Sequence, residues 1–292
     1  MLPLLHTASG PYQFHWDLHP DVILLCLFLE AAYLYTVTQL RDVLSDAGRV
    51  RRRHVLLFTS GVIWIYLVAG TPVHDISEQY LLSFHMTQHT VFTLVAAPLL
   101  LAGVPAWVWQ ALLRQRGVMP VARRLTHPVV AFFIFNFITA FTHLPMMVNA
   151  SLNHHWLHFW VHVALVSSAM LMWWPVLSNV PELPRLSPPL QMGYLFVQSL
   201  VPTVIAAFVT FADGAVYSFY ERAPRIWGIS AEADQQMAGG LMKVIGSLII
   251  WGFIAVIFFQ WYNREQAEDR GPAWPEVETE LEALGLAPRD RR

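Results

Sequence analysis

Two pairs of histidines set the chemistry open to this chain. His85 and His89 stand four residues apart, and so do His158 and His162. In a helix that spacing puts both rings of a pair on one face. His143 stands between the pairs in sequence, and His154 lies one turn before His158; His155 is rotated off that face. Imidazole is a good ligand for copper, zinc, iron and nickel. Met86, Met146 and Met147 bring thioethers, which favour Cu(I), although methionines more often simply fill cores. The candidate metal ligands are therefore His85, His89, His143, His158, His162 and His154. His74, Asp75 and Glu78 precede the first pair and could form an outer mouth or a second layer around the ligands.

The elements that must position these residues are transmembrane helices. The chain is 55% hydrophobic and only 13% charged, with a mean hydropathy of +0.44. Soluble domains carry about a quarter charged residues. A helix needs roughly 20 apolar residues to cross the hydrocarbon. Seven runs meet that length, at 20–40, 54–73, 81–103, 128–148, 154–177, 190–211 and 237–262. The expected fold is an all-α polytopic membrane bundle of about seven helices. Residues 1–19 form an outer N-terminal segment, 20–262 the membrane domain, and 263–292 an acidic, partly disordered cytoplasmic tail with a short helix near 275–284. The start of the chain lacks a basic n-region and a cleavage motif, so the first apolar run is expected to insert and stay.

Arginines set the orientation. Arg41, Arg49, Arg51, Arg52 and Arg53 fall in the first loop, Arg114, Arg116, Arg123 and Arg124 in the third, and Arg185 in the fifth. The tail adds Arg264, Arg270, Arg289, Arg291 and Arg292, whereas the opposite side has only Arg222 and Arg225. The basic side is cytoplasmic by this rule, with the N-terminus outside and the C-terminus inside. Trp64, Trp107, Trp109, Trp173, Trp174 and Trp261 fall mostly near helix ends, as interfacial belts do. The 104–125 stretch is too polar to span, and its Trp and Leu residues suit the cytoplasmic interface.

With this topology the histidines share a depth. At 1.5 Å per residue, His85 and His158 lie about 6 Å below the outer surface, His143 about 8 Å, and His89 and His162 about 12 Å. Of the thirteen histidines only His54 and His127 fall on the cytoplasmic side. A single buried histidine more often hydrogen-bonds a neighbouring helix. Five in one layer, two pairs among them, favour ligation of an ion or a haem. Glu30 and Lys243 lie at depths that a lysine stem can bridge, and are expected to form a structural ion pair. Cys26 reads as a small buried hydrophobe, and no CxxC motif accompanies it. Asp213 and Asp234 read as solvated carboxylates bounding the 212–236 loop. There is no phosphate loop, GxSxG elbow or HExxH, and no basic stripe with interleaved aromatics for nucleic acid. The chain is not expected to be an enzyme.

At these residues the chain resembles the CtaG family of cytochrome c oxidase assembly factors, of the multi-pass type. The resemblance rests on Phe84-His85-Met86-Thr87-Gln88-His89, Ala97-Pro98-Leu99-Leu100-Leu101 and Thr142-His143-Leu144-Pro145. It continues through His158, His162, Trp173-Trp174-Pro175, Asp234-Gln235 and Gly239-Gly240. The family often carries a glutamate where this chain has Val161. The resemblance implies a bacterial inner-membrane protein needed to mature haem–copper oxidases, through copper delivery. Its partners would be a haem–copper oxidase subunit, membrane lipid and a periplasmic copper donor, with no nucleic acid. Two rival functions remain open at this stage. A bis-histidine haem-binding cytochrome needs histidines on facing helices. A metal transporter needs ligands continuing into the inner half, which is almost wholly apolar here.

Overall fold

A computed structural model describes residues 17–44 and 50–269, and four isolated positions at 281, 283, 284 and 286. Among the described residues the regular structure is all helix, and helix takes in 80% of them. Five helices among the described residues are long and apolar enough to cross a membrane, and up to seven spans result if each of two bent helix pairs counts as one. This is the architecture of a multi-pass membrane protein.

Prolines mark where helices begin. A proline in the first turn loses nothing, because that turn's N–H groups have no helical acceptor. It opens α1 (Pro20–Thr38), but not α2 (Arg52–Ala69), and it opens α3 (Pro72–Gln79). The run expected at 54–73 is thus two helices, bent by 51°. Gly70 closes α2, and the Thr71 hydroxyl accepts from Val73 N–H at 3.4 Å to start α3. The next span, α4 (Leu82–Gly103), contains a π turn at Phe92–Ala96. The π turn sits just ahead of Pro98. Ala97 N–H bonds the Phe92 carbonyl, and Pro98 has no N–H to offer Thr93. The indole of Trp173 fills that place, donating to the Thr93 carbonyl at 2.9 Å.

Two short helices follow, α5 (Ala106–Leu113) and α6 (Val118–Leu125). The second buries no residue and carries Arg123 and Arg124, as an interfacial helix should. The run expected at 128–148 ends early, as α7 (Pro128–Thr142), and a separate α8 (Pro145–Asn153) follows. Pro145 forces Leu144 into an extended conformation (φ −62°, ψ 137°), which breaks the helix. Then come α9 (His155–Leu177), α10 (Pro188–Gln198), α11 (Leu200–Phe211) and the short α12 (Ser218–Arg222). The last, α13 (Ala231–Asp269), is 39 residues long and overruns the expected 237–262 at both ends. Apart from those four isolated positions, the remainder of the tail, with most of the helix expected near 275–284, and the segment before residue 17 lie outside the described residues.

Helices α4 and α9 form the centre. Buried residues make up 61% of the apolar stretch of α4 and 50% of that of α9, against 6% in α13. Small residues let helices close on them. A β-carbon on Gly103 would lie 2.5 Å from the Phe58 backbone nitrogen of α2, and one on Gly239 2.7 Å from the Ala206 carbonyl of α11. The expected Glu30–Lys243 pair does not form. Glu30 accepts from Thr59 at 2.7 Å, while Lys243 donates to Thr203 at 2.8 Å. Their helices lie on different flanks, α1 against α2 and α13 against α11 and α4. Cys26 is buried in an apolar cluster with Val62, Ile65 and Phe92 and is not part of the four-histidine group.

Candidate metal centre

Four imidazoles converge where α4 faces α9. The candidate ligand nitrogens of His85, His89, His158 and His162 all lie within 4.8 Å of one another. Ring centroids are 4.3 Å apart within each i, i+4 pair. Across the helices, His85 faces His158 at 5.3 Å and His89 faces His162 at 5.2 Å. The two pairs therefore meet rung by rung.

The donor set suits an ion. A tetrahedral metal with nitrogen bonds of about 2.0–2.1 Å holds its ligands about 3.3 Å apart. Nε2 of His158 and Nε2 of His162 are already 3.0 Å apart. Nδ1 of His85 and both ring nitrogens of His89 are buried without a hydrogen-bond partner. Buried polar atoms are normally paired. Several unpaired imidazole nitrogens on facing rings are what a soft or borderline cation would use.

A second layer fixes the rings. Glu78 Oε1 lies 2.8 Å from Nδ1 of His158 and 3.1 Å from Nε2 of His74. Donation from His158 Nδ1–H to that carboxylate leaves the Nε2 lone pair facing the cluster. Val161 stands where the resemblance places a glutamate, and in this chain the carboxylate at the cluster comes from α3 instead. Gln88 is fully buried; its amide donates to the Val68 carbonyl at 2.9 Å and lies 3.1 Å from Nδ1 of His74. Ser77 donates to Gln88 Oε1 at 3.2 Å, and Tyr220 to the Ser77 carbonyl at 2.5 Å. Burial holds the Tyr220 phenol well above its ordinary pKa, so it stays a donor. These bonds lock α3 over the cluster. At the outer edge His19 Nε2 sits 3.3 Å from Asp75, with its ring 4.8 Å from that of His74. The bond to Asp75 raises the His19 pKa above 6.5, against the opposing effect of burial.

The sequence-derived ligands do not all meet. His143 caps α7 with its ring 5.6 Å from that of His89, next to the four-histidine group but not within it. His154 is exposed at the start of α9 and stands apart. Met86 is buried beside the site, whereas Met146 is 71% exposed and points away from any core. Asp213 is exposed, as expected. Asp234 is not a solvated loop carboxylate: it is fully buried and accepts from Leu82 N–H at 2.6 Å and Ser83 N–H at 3.0 Å. It caps the helix that carries His85 and His89. Gln235 beside it bridges the loop, accepting from Val216 N–H at 2.7 Å and donating to the Gly214 carbonyl at 3.0 Å. The parts that sequence reasoning missed are Gln88, Asp234, Tyr220 and His19. For the first two the available signal was their place in the motifs that carry the resemblance.

Two uncharacterized proteins, of Mycobacterium bovis and Mycobacterium tuberculosis, are each 24% identical to this chain over 256 residues, covering 81% of it. The chain spans only 39% of the length of either. No solved structure matches it. The model of the cytochrome c oxidase caa3 assembly factor family matches residues 31–264, most of the chain and all four clustered histidines. The chain belongs to that family of cytochrome c oxidase assembly factors.

Proposed function

We propose that this protein binds copper through His85, His89, His158 and His162 and delivers it to a nascent haem–copper oxidase subunit. One observation carries the reading: four imidazole nitrogens within 4.8 Å of one another, oriented by Glu78, in the core of an oxidase assembly factor. The role is that of a non-catalytic carrier. Imidazole ligands without a thiolate hold copper firmly enough to capture it and loosely enough to release it. The arginine asymmetry supports a position for the cluster near the periplasmic face of the bacterial inner membrane, with the N-terminus outside and the C-terminus inside. His19, His74 and Glu78 then form the side from which a periplasmic donor hands over the ion.

The geometry favours an ion over haem. Each pair holds its rings 4.3 Å apart along one helix, inclined by 58° and 60°, which leaves no slot for a macrocycle between the rungs. The adjoining cavity, about 80 Å³, has room for a handful of water molecules.

A host lacking the protein tests this function. It should still make the oxidase subunits and their haem, and the isolated oxidase should be depleted of copper. An oxidase with full copper and no haem would assign the protein to haem handling instead.

A further inference from the structure

A cavity of about 80 Å³ lies on the far side of His89 from the four-histidine group, between α4, α7, α9, α11 and α13. Met86, His89, Thr139 and His143 line one part of it, and Lys243 and Thr203 another. The Nδ1–H of His143 donates to the Thr139 carbonyl at 2.7 Å. The lone pair of His143 therefore sits on Nε2, which is buried with no partner. Both nitrogens of His89 and the Thr139 hydroxyl are likewise buried and unpaired. Tyr217 fixes this corner from outside, donating to the His143 carbonyl at 3.0 Å. Unpaired lone pairs around a small cavity call for a polar or cationic occupant. Met86, only 1% exposed, adds a thioether.

We propose that His89, His143 and Met86 form a second Cu(I) position, through which the ion leaves the four-histidine centre. Two imidazoles and a thioether are a soft, low-coordinate set that suits Cu(I). The inference rests on the copper reading of the four histidines. His89 belongs to both positions, so the ion moves by ligand exchange. Its bonds to His85, His158 and His162 break while bonds to His143 Nε2 and Met86 Sδ form, and copper remains Cu(I) throughout. The cavity leads toward Lys243, which is exposed on α13 and donates to Thr203 at 2.8 Å. That rim is where an incoming partner would take the ion.

The test loads the purified full-length protein with Cu(I) without oxygen, and measures copper per chain and copper X-ray absorption. One copper ion per chain is expected, with a fractional sulfur contribution from the share of the ion that occupies the second position. Met86→Leu should remove the sulfur contribution, and His143→Gln should reduce it while copper per chain stays the same, because the four histidines still hold the ion. Met86→Leu conserves volume and so keeps the test valid if His143→Gln disturbs folding. A single copper, free of sulfur and unchanged in both variants yet lost in His158→Ala, overturns the second position alone. Copper unchanged in all of these, His158→Ala included, sinks the four-histidine reading as well.

Discussion

Nδ1 of His158 lies 2.8 Å from Oε1 of Glu78, although the two residues stand on different helices and 80 positions apart in the sequence. A carboxylate behind a ligand imidazole fixes its tautomer and raises its basicity, and losing such a partner costs about 10–100-fold in metal affinity. Glu78→Gln should weaken copper binding by that factor, with helix content unchanged by circular dichroism. Titration against a copper indicator measures it. An affinity equal to the parent's would remove Glu78 from the site.

Asp234 should matter through the fold and only then through the metal. Its carboxylate serves two buried N–H groups at the start of α4. Leaving a buried donor unpaired costs about 1–3 kcal/mol. Asp234→Ala should lower the thermal unfolding midpoint in detergent, and copper occupancy should fall with it. Reduced copper at an unchanged midpoint would mean that Asp234 acts on the ion directly.

The His19–Asp75 contact should make the outer edge pH-dependent. Asp75, Asp21 and Glu78 all raise the His19 pKa, and the hydrogen bond to Asp75 is the largest cause. A group whose folded pKa is raised stabilises fully below its unfolded value, and that contribution is lost as pH rises through the folded value. The stability difference between the parent and His19→Gln should be largest below pH 6.5, the ordinary histidine value, and should shrink as pH rises. A difference that grows with pH would contradict the assignment.

Orientation can be read with a reporter active only in the periplasm. Fused after Ser151 it should be active, and fused after Ser187 it should be silent. The reverse pattern would put the histidine cluster on the cytoplasmic side and exclude a periplasmic donor.

The histidine layer was legible because two rules act together. The i, i+4 spacing gives a shared face, and the rise per residue gives depth, so His85–His158 and His89–His162 could be matched before any contact was known. The breaks at Thr71 and Leu144 were harder to see, because hydropathy continues across both while Pro72 and Pro145 interrupt the backbone. That is why His143 caps a helix rather than lying within one. Depth alone paired Glu30 with Lys243, but two residues at similar depth can lie on opposite flanks of a bundle, and these do. Asp234 was misread for the opposite reason. It lies near a loop in sequence, yet tertiary packing brings it to a helix start 152 residues away. Helix packing order, which decides both cases, is not written in the hydropathy of any single segment.

The most direct measurement is the copper dissociation constant of single histidine variants of the intact protein. His85→Ala, His89→Ala, His158→Ala and His162→Ala should each weaken binding by at least the 10–100-fold expected for a second-layer loss. His154→Ala, exposed at the start of α9, and His54→Ala, in α2, should bind as the parent does. Equal affinity in all six would show that the cluster is structural and that copper, if carried, is held elsewhere.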